Sequence, residues 1–221
     1  MEDPEMDYIA ARQNMVESQI KTNNVIHEKL LEALLLIPRE LFVPSIYQEI
    51  AYVDNPLPIA DERYLMAPLD IARLIQEAHP ISSDLALVVG CATGYGAAVI
   101  SNIVGAVVGL ESNDALASEA TENLARLCIE NVAIEVGSLK DGYPDQAPYD
   151  IIFFDGAIPE VPEGISSQLT EGGRLVCIIS DEGINNAIVI TRNGGVLSRR
   201  TLFECNSPSL PEFKREKVFV F

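Results

Sequence analysis

The stretch from residue 85 to residue 111 constrains the fold more than any other part of the chain. Leu85-Ala-Leu-Val-Val89 is an unbroken apolar run, preceded by Ser82-Ser-Asp84 and followed by Gly90. A run of this length between turn residues reads as a strand buried on both faces. Gly90-Cys-Ala-Thr-Gly94 then makes a tight turn, where glycine permits close backbone approach. Residues 95–104 have helical spacing, and Gly96, Ala97 and Ala98 let such a helix pack tightly on a sheet. Residues 106–110 are the next strand, with Glu111 at its C-terminal end. Strand, glycine loop, helix, strand and acid follow the logic of a nucleotide-binding half-fold. Helix N–H groups meet the polar end of the ligand, and the acid pairs with ribose hydroxyls.

Glycine spacing narrows the ligand. A dinucleotide site wants Gly-x-Gly-x-x-Gly for its pyrophosphate. Here Gly90 and Gly94 are four apart with Ala92 between them. That is closer to the Gly-x-Gly-x-Gly loop of S-adenosylmethionine (SAM) methyltransferases, which has no phosphate to cradle. A purely structural strand–turn–helix unit is the alternative, because glycine turns are common at such junctions.

A length of 221 residues fits one domain with a sizeable core. The formal charge of −18, from 15 Lys+Arg against 33 Asp+Glu, repels phosphate backbones and argues against a nucleic-acid partner. The opening Met-Glu-Asp-Pro-Glu lacks the apolar core of a signal peptide. No apolar run reaches the length of a membrane-spanning helix, roughly 20 residues. A cytoplasmic protein without a membrane partner is the expectation. Cys91, Cys128, Cys177 and Cys205 are far apart and lack metal-ligand spacing, so free thiols and no metal are expected. Cys91 lies in the glycine loop, in reach of a ligand. The two histidines, His27 and His79, are poor candidates for a catalytic base, and a Ser-His-Asp hydrolase is disfavoured.

Elsewhere the pattern alternates. Residues 8–21 read as a surface helix broken by Asn23-Asn24, and residues 27–36 as a second helix ending near Pro38. Residues 37–66 are rich in proline and show little periodicity. They hold enough apolar side chains to be an ordered cover over the C-terminal edge of the sheet. A helix opens at Pro68 and runs to about residue 78. Residues 113–128 are a helix with Ser112 or Asn113 as its cap, and 132–136, 150–154 and 174–179 are strands. Asp155 then stands at a strand's C-terminal end, where ligands bind in such sheets. Residues 168–173 are expected to close a helix at Gly172-Gly173. Residues 187–191, 196–203 and 217–221 look like late antiparallel strands, with Asn193-Gly-Gly195 as a hairpin turn.

Several stretches then carry a specific resemblance. Met15-Val-Glu-Ser-Gln-Ile20, Pro38-Arg-Glu-Leu-Phe-Val-Pro44 and Ala51-Tyr-Val-Asp-Asn-Pro-Leu57 resemble the N-terminal signatures of protein-L-isoaspartate O-methyltransferases. Gly94-Tyr-Gly-Ala-Ala-Val99, Ala147-Pro-Tyr-Asp150 and Gly172-Gly-Arg-Leu-Val176 resemble that family's core, in the family's order. The resemblance implies a SAM-dependent methyltransferase (Rossmann-like) fold with a mostly parallel seven-stranded sheet and helices on both faces. It implies one domain: residues 1–80 as N-terminal helices and Pro-rich cover, 81–180 as the SAM-binding core, 181–221 as C-terminal antiparallel strands. It also implies methyl transfer to the carboxylate of isoaspartyl residues in proteins or peptides, a repair reaction. The cofactor would lie along Val89, Gly90, Cys91, Ala92, Gly94 and Tyr95, with Glu111 and Ser112 after the next strand, Ser138 and Leu139 after another, and Asp155. Tyr64 and Met66 would line the acceptor side.

Departures from the family's pattern fall on these same positions. Met66 stands where the family has its active-site serine, in Glu62-Arg-Tyr-Leu-Met-Ala-Pro68 against Gly-Gln-Thr-Ile-Ser-x-Pro. A thioether donates no hydrogen bond to an acceptor carboxylate. Val88 replaces an acid, Ala92 replaces the middle glycine, and Ser138 replaces an aspartate that meets adenine. Weakened isoaspartyl activity is therefore expected. A SAM enzyme with a different acceptor, or a non-catalytic relative acting through partners, are the alternatives.

Overall fold

The computed structural model describes residues 7–181 and 183–214. Its centre is a seven-stranded sheet built from β3 (Leu85–Val89), β4 (Ala106–Glu111), β5 (Val132–Val136), β6 (Tyr149–Ile158), β7 (Leu169–Asp181), β8 (Ile184–Asn193) and β9 (Val196–Cys205). The order across the sheet is β5-β4-β3-β6-β7-β8-β9. β5, β4, β3, β6 and β7 run parallel, and β8 and β9 add antiparallel hairpins at one edge. This is the expected mostly parallel seven-stranded sheet.

The apolar run of β3 resolves into two faces with period two. Ala86 and Val88 join the core on one side of the sheet, Leu87 and Val89 the core on the other. Against the first face pack α1 (Tyr8–Asn14), α2 (Glu28–Leu36), α3 (Pro68–Glu77), α4 (Tyr95–Ser101) and α5 (Asp114–Arg126), contributing Leu30, Ile71, Val99 and Leu124 among others. The second face is covered by the short α6 (Glu163–Ser166), Leu139, and a C-terminal segment bearing Leu210 and Phe213. Chain order reverses between β3 and β6. The ends of these two strands therefore form the crevice where ligands settle in open sheets of this kind.

The Pro-rich stretch is ordered. It forms two 3-10 turns, Arg39–Phe42 and Ser45–Ile50, and then a small separate hairpin of β1 (Leu57–Ala60) and β2 (Arg63–Leu65). The sequence pattern did not disclose this hairpin. Thr93 of the glycine loop donates its hydroxyl to the Phe42 carbonyl at 2.7 Å, and the Phe42 and Tyr95 rings meet edge to face at 5.4 Å. The stretch therefore rests on the glycine loop.

Three local expectations are corrected. Gly172 and Gly173 do not stop a helix; they lie within β7, and the helix before them ends at Ser166. A Cβ on Gly173 would sit 2.9 Å from the Thr170 carbonyl oxygen, so glycine here serves close backbone approach inside a sheet. α4 stops at Ser101 rather than 104. Ser101 and Asn102 turn their side chains back to the Ala98 carbonyl, a local bond that competes with the helix. His27 caps α2 instead of opening it, its Nδ1 accepting from the Leu30 amide at 3.2 Å. The strand expected at 217–221 lies outside the described residues. The β8–β9 turn is Gly194-Gly195, with φ of 60° and 75°. Two left-handed residues in succession are what a two-residue hairpin of this kind demands.

Candidate functional site

β3 delivers Val89 and Gly90 to the crevice, β4 delivers Glu111, and β6 delivers Asp155. Gly90, at φ 76°, turns the chain off β3, and Gly94, at φ 97°, caps α4. Ala92 takes φ 53°, a strained conformation for a residue with a Cβ. In that conformation its amide meets Glu111 Oε2 at 2.8 Å. Ser112 and Asn113 donate their amides to Glu111 Oε1 at 2.9 and 3.0 Å. Three backbone N–H groups thus converge on one carboxylate that is wholly buried.

The remaining capacity of that carboxylate is taken by Arg63. Nη1 lies 2.6 Å from Oε1, Nη2 lies 2.8 Å from Oε2, and Nη2 also donates to the Gly90 carbonyl at 3.1 Å. Burial alone would raise the Glu111 carboxyl. The Arg63 hydrogen bond and charge, with the Asn113 and Ala92 amides, outweigh it and hold the group below the usual range. Burial likewise opposes the Arg63 charge, and Glu111 more than restores it.

Asp155 is the second acid. It is buried beside Arg63 and Arg39, and neither oxygen has a hydrogen-bond partner among the described residues. Burial pushes its carboxyl up to about 7; Arg63 and Arg39 pull it down and Glu111 pushes it further up. It lies against α4, where a Cβ on Gly96 would stand 2.7 Å from Oδ2. Arg39 is fully buried and ties the cover together: Nε donates to the Ala51 carbonyl at 2.7 Å and Nη2 to the Met66 carbonyl at 2.6 Å. Its guanidinium also stacks on Tyr95, 4.9 Å from the ring centroid. Desolvation lowers its affinity for a proton, partly offset by Tyr95 and Asp155.

The other predicted positions divide. Met66 is 1% exposed and its backbone is fixed by Arg39, whereas Tyr64 is 39% exposed on the outer side of β2. Leu139 reaches to 3.5 Å from a Cβ built on Gly90, while Ser138 is exposed and its carbonyl accepts from Asp141. Cys91 is buried, its Sγ 3.1 Å from where a side chain on Gly109 would begin, and burial drives its thiol far above the usual range. It is a packing residue and not a nucleophile. Among the described residues no cluster of His, Cys, Asp and Glu is suited to a metal.

Sequence reading missed Arg39, Leu210 and Glu212 as parts of this site, and offered Arg63 only as a donor to the acceptor, not as the partner of Glu111. Leu210 fills the crevice from above: its methyl carbons come within 3.0 Å of a Cβ on Gly90 and 2.8 Å of one on Gly156. Glu212 meets the Ser112 hydroxyl and lies 3.8 Å from Arg63 Nη1. An opening of about 450 Å³ persists at this edge, lined by Lys140, Val161, Phe213 and Lys214 among others, and not by the glycine loop or Glu111. The arrangement therefore does not fit a bound SAM as it stands. The acid due to the ribose is engaged by Arg63, and the space above the loop glycines holds a leucine.

Comparison with known proteins gives the lineage. Residues 10–207 match the family model of protein-L-isoaspartate(D-aspartate) O-methyltransferase. The chain is 36% identical over 183 residues to a protein-L-isoaspartate O-methyltransferase of Methanoregula boonei, covering 83% of this chain and 84% of that one. It is 34% identical over 194 residues to one of Koribacter versatilis, covering 88% and 87%. A solved protein-L-isoaspartate O-methyltransferase superposes with a TM-score of 0.79 at 30% identity, covering 90% of this chain and 65% of that one. A solved Plasmodium falciparum protein, described as a putative member in complex with S-adenosyl-L-homocysteine, matches in fold with a TM-score of 0.78 at 22% identity, covering 94% and 100%. With a family match over most of its length and relatives of this similarity, the chain belongs to the protein-L-isoaspartate O-methyltransferase family, whose members are SAM-dependent methyltransferases.

Proposed function

We propose that this chain is a carboxyl methyltransferase of the isoaspartyl type whose acceptor step is slow. Its substrates would be proteins or peptides bearing a carboxylate, and its place the cytoplasm. We take the chain as one working unit, in which the described residues before 81 cover the 81–180 core and the described residues after 180 complete the sheet edge. Family membership supports the reaction class. The charge of −18 speaks against nucleic acid as substrate. No helix among the described residues is long and apolar enough to cross a membrane.

Met66 is the observation that carries the slow step. By the sequence resemblance it stands where the family has its serine; its side chain is buried, and Arg39 holds its backbone carbonyl at 2.6 Å. An acceptor carboxylate placed there meets a thioether in place of a donor. Burying a carboxylate against an apolar wall is unfavourable unless another group compensates. Of the neighbouring donors, Arg63 is engaged with Glu111 and Gly90 until the cofactor displaces it, and Tyr64 is on the exposed side of β2. Arg39 Nη1, buried and without a hydrogen-bond partner among the described residues, is the donor left to offset part of the loss. The same apolar wall favours a second reading, in which the acceptor is a less polar group than a free carboxylate. Radiolabelled methyl transfer to an isoaspartyl peptide, compared with the same peptide whose isoaspartyl carboxylate is amidated, separates the two. Labelling of the free acid alone supports the isoaspartyl reading, and labelling of both peptides overturns it.

A further inference from the structure

We propose that Arg63 is a latch on the cofactor site: the β1–β2 hairpin places its guanidinium on Glu111 where ribose hydroxyls would otherwise pair, so Glu111 is freed for a ligand only when the Arg63 side chain swings away. This rests on the methyltransferase reading and concerns the control of that same site.

Glu111 has no acceptor capacity left over. A carboxylate offers about four lone-pair sites, and six donors already converge on this one: Arg63 Nη1 and Nη2, the amides of Ala92, Ser112 and Asn113, and the Ser112 hydroxyl. The three amides are built into the loop and into the start of α5. Arg63 is the one donor among these carried by a separate element, and it is bidentate, the strongest form of such a contact. A ligand hydroxyl therefore gains Glu111 only by displacing Arg63.

The arginine side chain, and not its strand, is the part that can move: Leu57 and Leu65 anchor the hairpin in the core. The hairpin's two strands pair with each other in a sheet of their own, and its turn, Asp61-Glu62, is exposed. Its ties to the C-terminal segment are the exposed pair of Lys214 and Glu62 at 2.5 Å, of the kind that solvent and salt weaken, and the pair of Arg63 with Glu212 at 3.8 Å. The segment that bears Leu210 is by contrast clasped to β6, the Ala157 amide donating to the Pro208 carbonyl and the Leu210 amide to the Ala157 carbonyl at 3.0 and 2.8 Å. Cofactor entry therefore needs Arg63 to leave Glu111 and the Leu210 side chain to give way at the loop glycines.

Displacing a buried arginine from its carboxylate is costly, so the native chain binds cofactor weakly. Arg63→Gln, which restores the residue type of the family's pattern, removes the charge and the fork while leaving a donor near Glu111. Calorimetric titration with S-adenosylhomocysteine should give a dissociation constant at least tenfold lower for Arg63→Gln than for the native chain. Arg63→Lys keeps the charge but not the bidentate geometry. It should fall between the two, and it serves if the glutamine variant does not fold. Equal affinity for native and variant chains overturns the latch, as does absence of binding by every folded chain. Tight binding by Arg63→Gln without methylation of an isoaspartyl peptide supports the latch and overturns the acceptor reading alone.

Discussion

Arg63 and Glu111, 48 positions apart, form a bidentate ion pair with contacts of 2.6 and 2.8 Å in which neither side chain is appreciably exposed. Removing one partner of such a pair strands the other without water. A cost of about 3–5 kcal/mol is the usual consequence. Glu111→Ala should cost more than Arg63→Ala, because it frees three backbone amides as well as the arginine, whereas Glu111 without Arg63 keeps those amides. Urea denaturation of the two variants checks the order. A larger loss for Arg63→Ala would contradict the placement of Glu111 as the hub.

Ala92 should be improvable. Its φ is 53°. For an L residue with a Cβ, that left-handed conformation costs about 1–2 kcal/mol. Glycine does not bear this cost. Ala92→Gly is therefore expected to raise stability by about 1 kcal/mol, provided the amide keeps its bond to Glu111. Thermal melting reads the change, and a lower melting temperature would mean that the methyl group contributes packing that outweighs the strain.

Asp155 gives the protein a pH dependence of definite sign. Its carboxyl lies near 3.8 unfolded and is pushed up to about 7 folded, chiefly by burial. Between these values the folded chain holds a proton the unfolded chain has released. The resulting stability is fully present below the unfolded value of 3.8 and is lost as pH rises through about 7. Asp155→Asn should nearly match the native chain near pH 4 and exceed it at pH 8 by about 4 kcal/mol, the gap between 3.8 and about 7 taken at about 1.4 kcal/mol per pH unit. Asp70, raised to about 6 by burial and by Asp54, leaves a shallower slope of the same sign in the variant. Melting curves of both chains from pH 4 to 8 test this, because Glu111, held below its usual range, acts with the opposite sign in both and cancels; a difference that does not grow in the variant's favour across that range would refute it.

Charge sets a further expectation. With a net charge of −18, self-repulsion opposes the compact state. The screening length falls from about 10 Å at 0.1 M salt to about 3 Å at 1 M, which relieves that repulsion. The melting temperature should rise by several degrees over that interval. A fall would mean that ion pairs such as Arg174–Asp84 and Arg12–Glu40 outweigh the repulsion.

The sheet was legible because its strands state their burial plainly. The run at 85–89 is apolar at every position because both faces are covered, and Gly90 and Glu111 mark its edge as in other sheets of this kind. Glycine was the weaker guide. Gly172-Gly173 carries the composition of a helix stop, but the tight strand contact at Thr170 and Tyr149 that requires Gly173 is a tertiary fact. The site was half legible for a related reason. Glu111 announces itself by position, whereas its partner lies 48 residues earlier in a proline-rich stretch without periodicity. One signal was present: an arginine in place of the family's glutamine, in a chain with only 15 Lys+Arg. Leu210 and Glu212 gave none, since nothing local tells that a segment after the last strand returns to the glycine loop.

The most direct test of the account is initial-rate methyl transfer from SAM to one isoaspartyl peptide. The native chain, Met66→Ser, Arg63→Gln and the double variant would be measured beside the Methanoregula boonei relative under identical conditions. The account predicts a native rate at least tenfold below the relative, a partial gain from each single change, and the largest gain from the double variant. A native rate equal to that of the relative would contradict it, because Met66 and Arg63 would then impede neither the acceptor nor the cofactor.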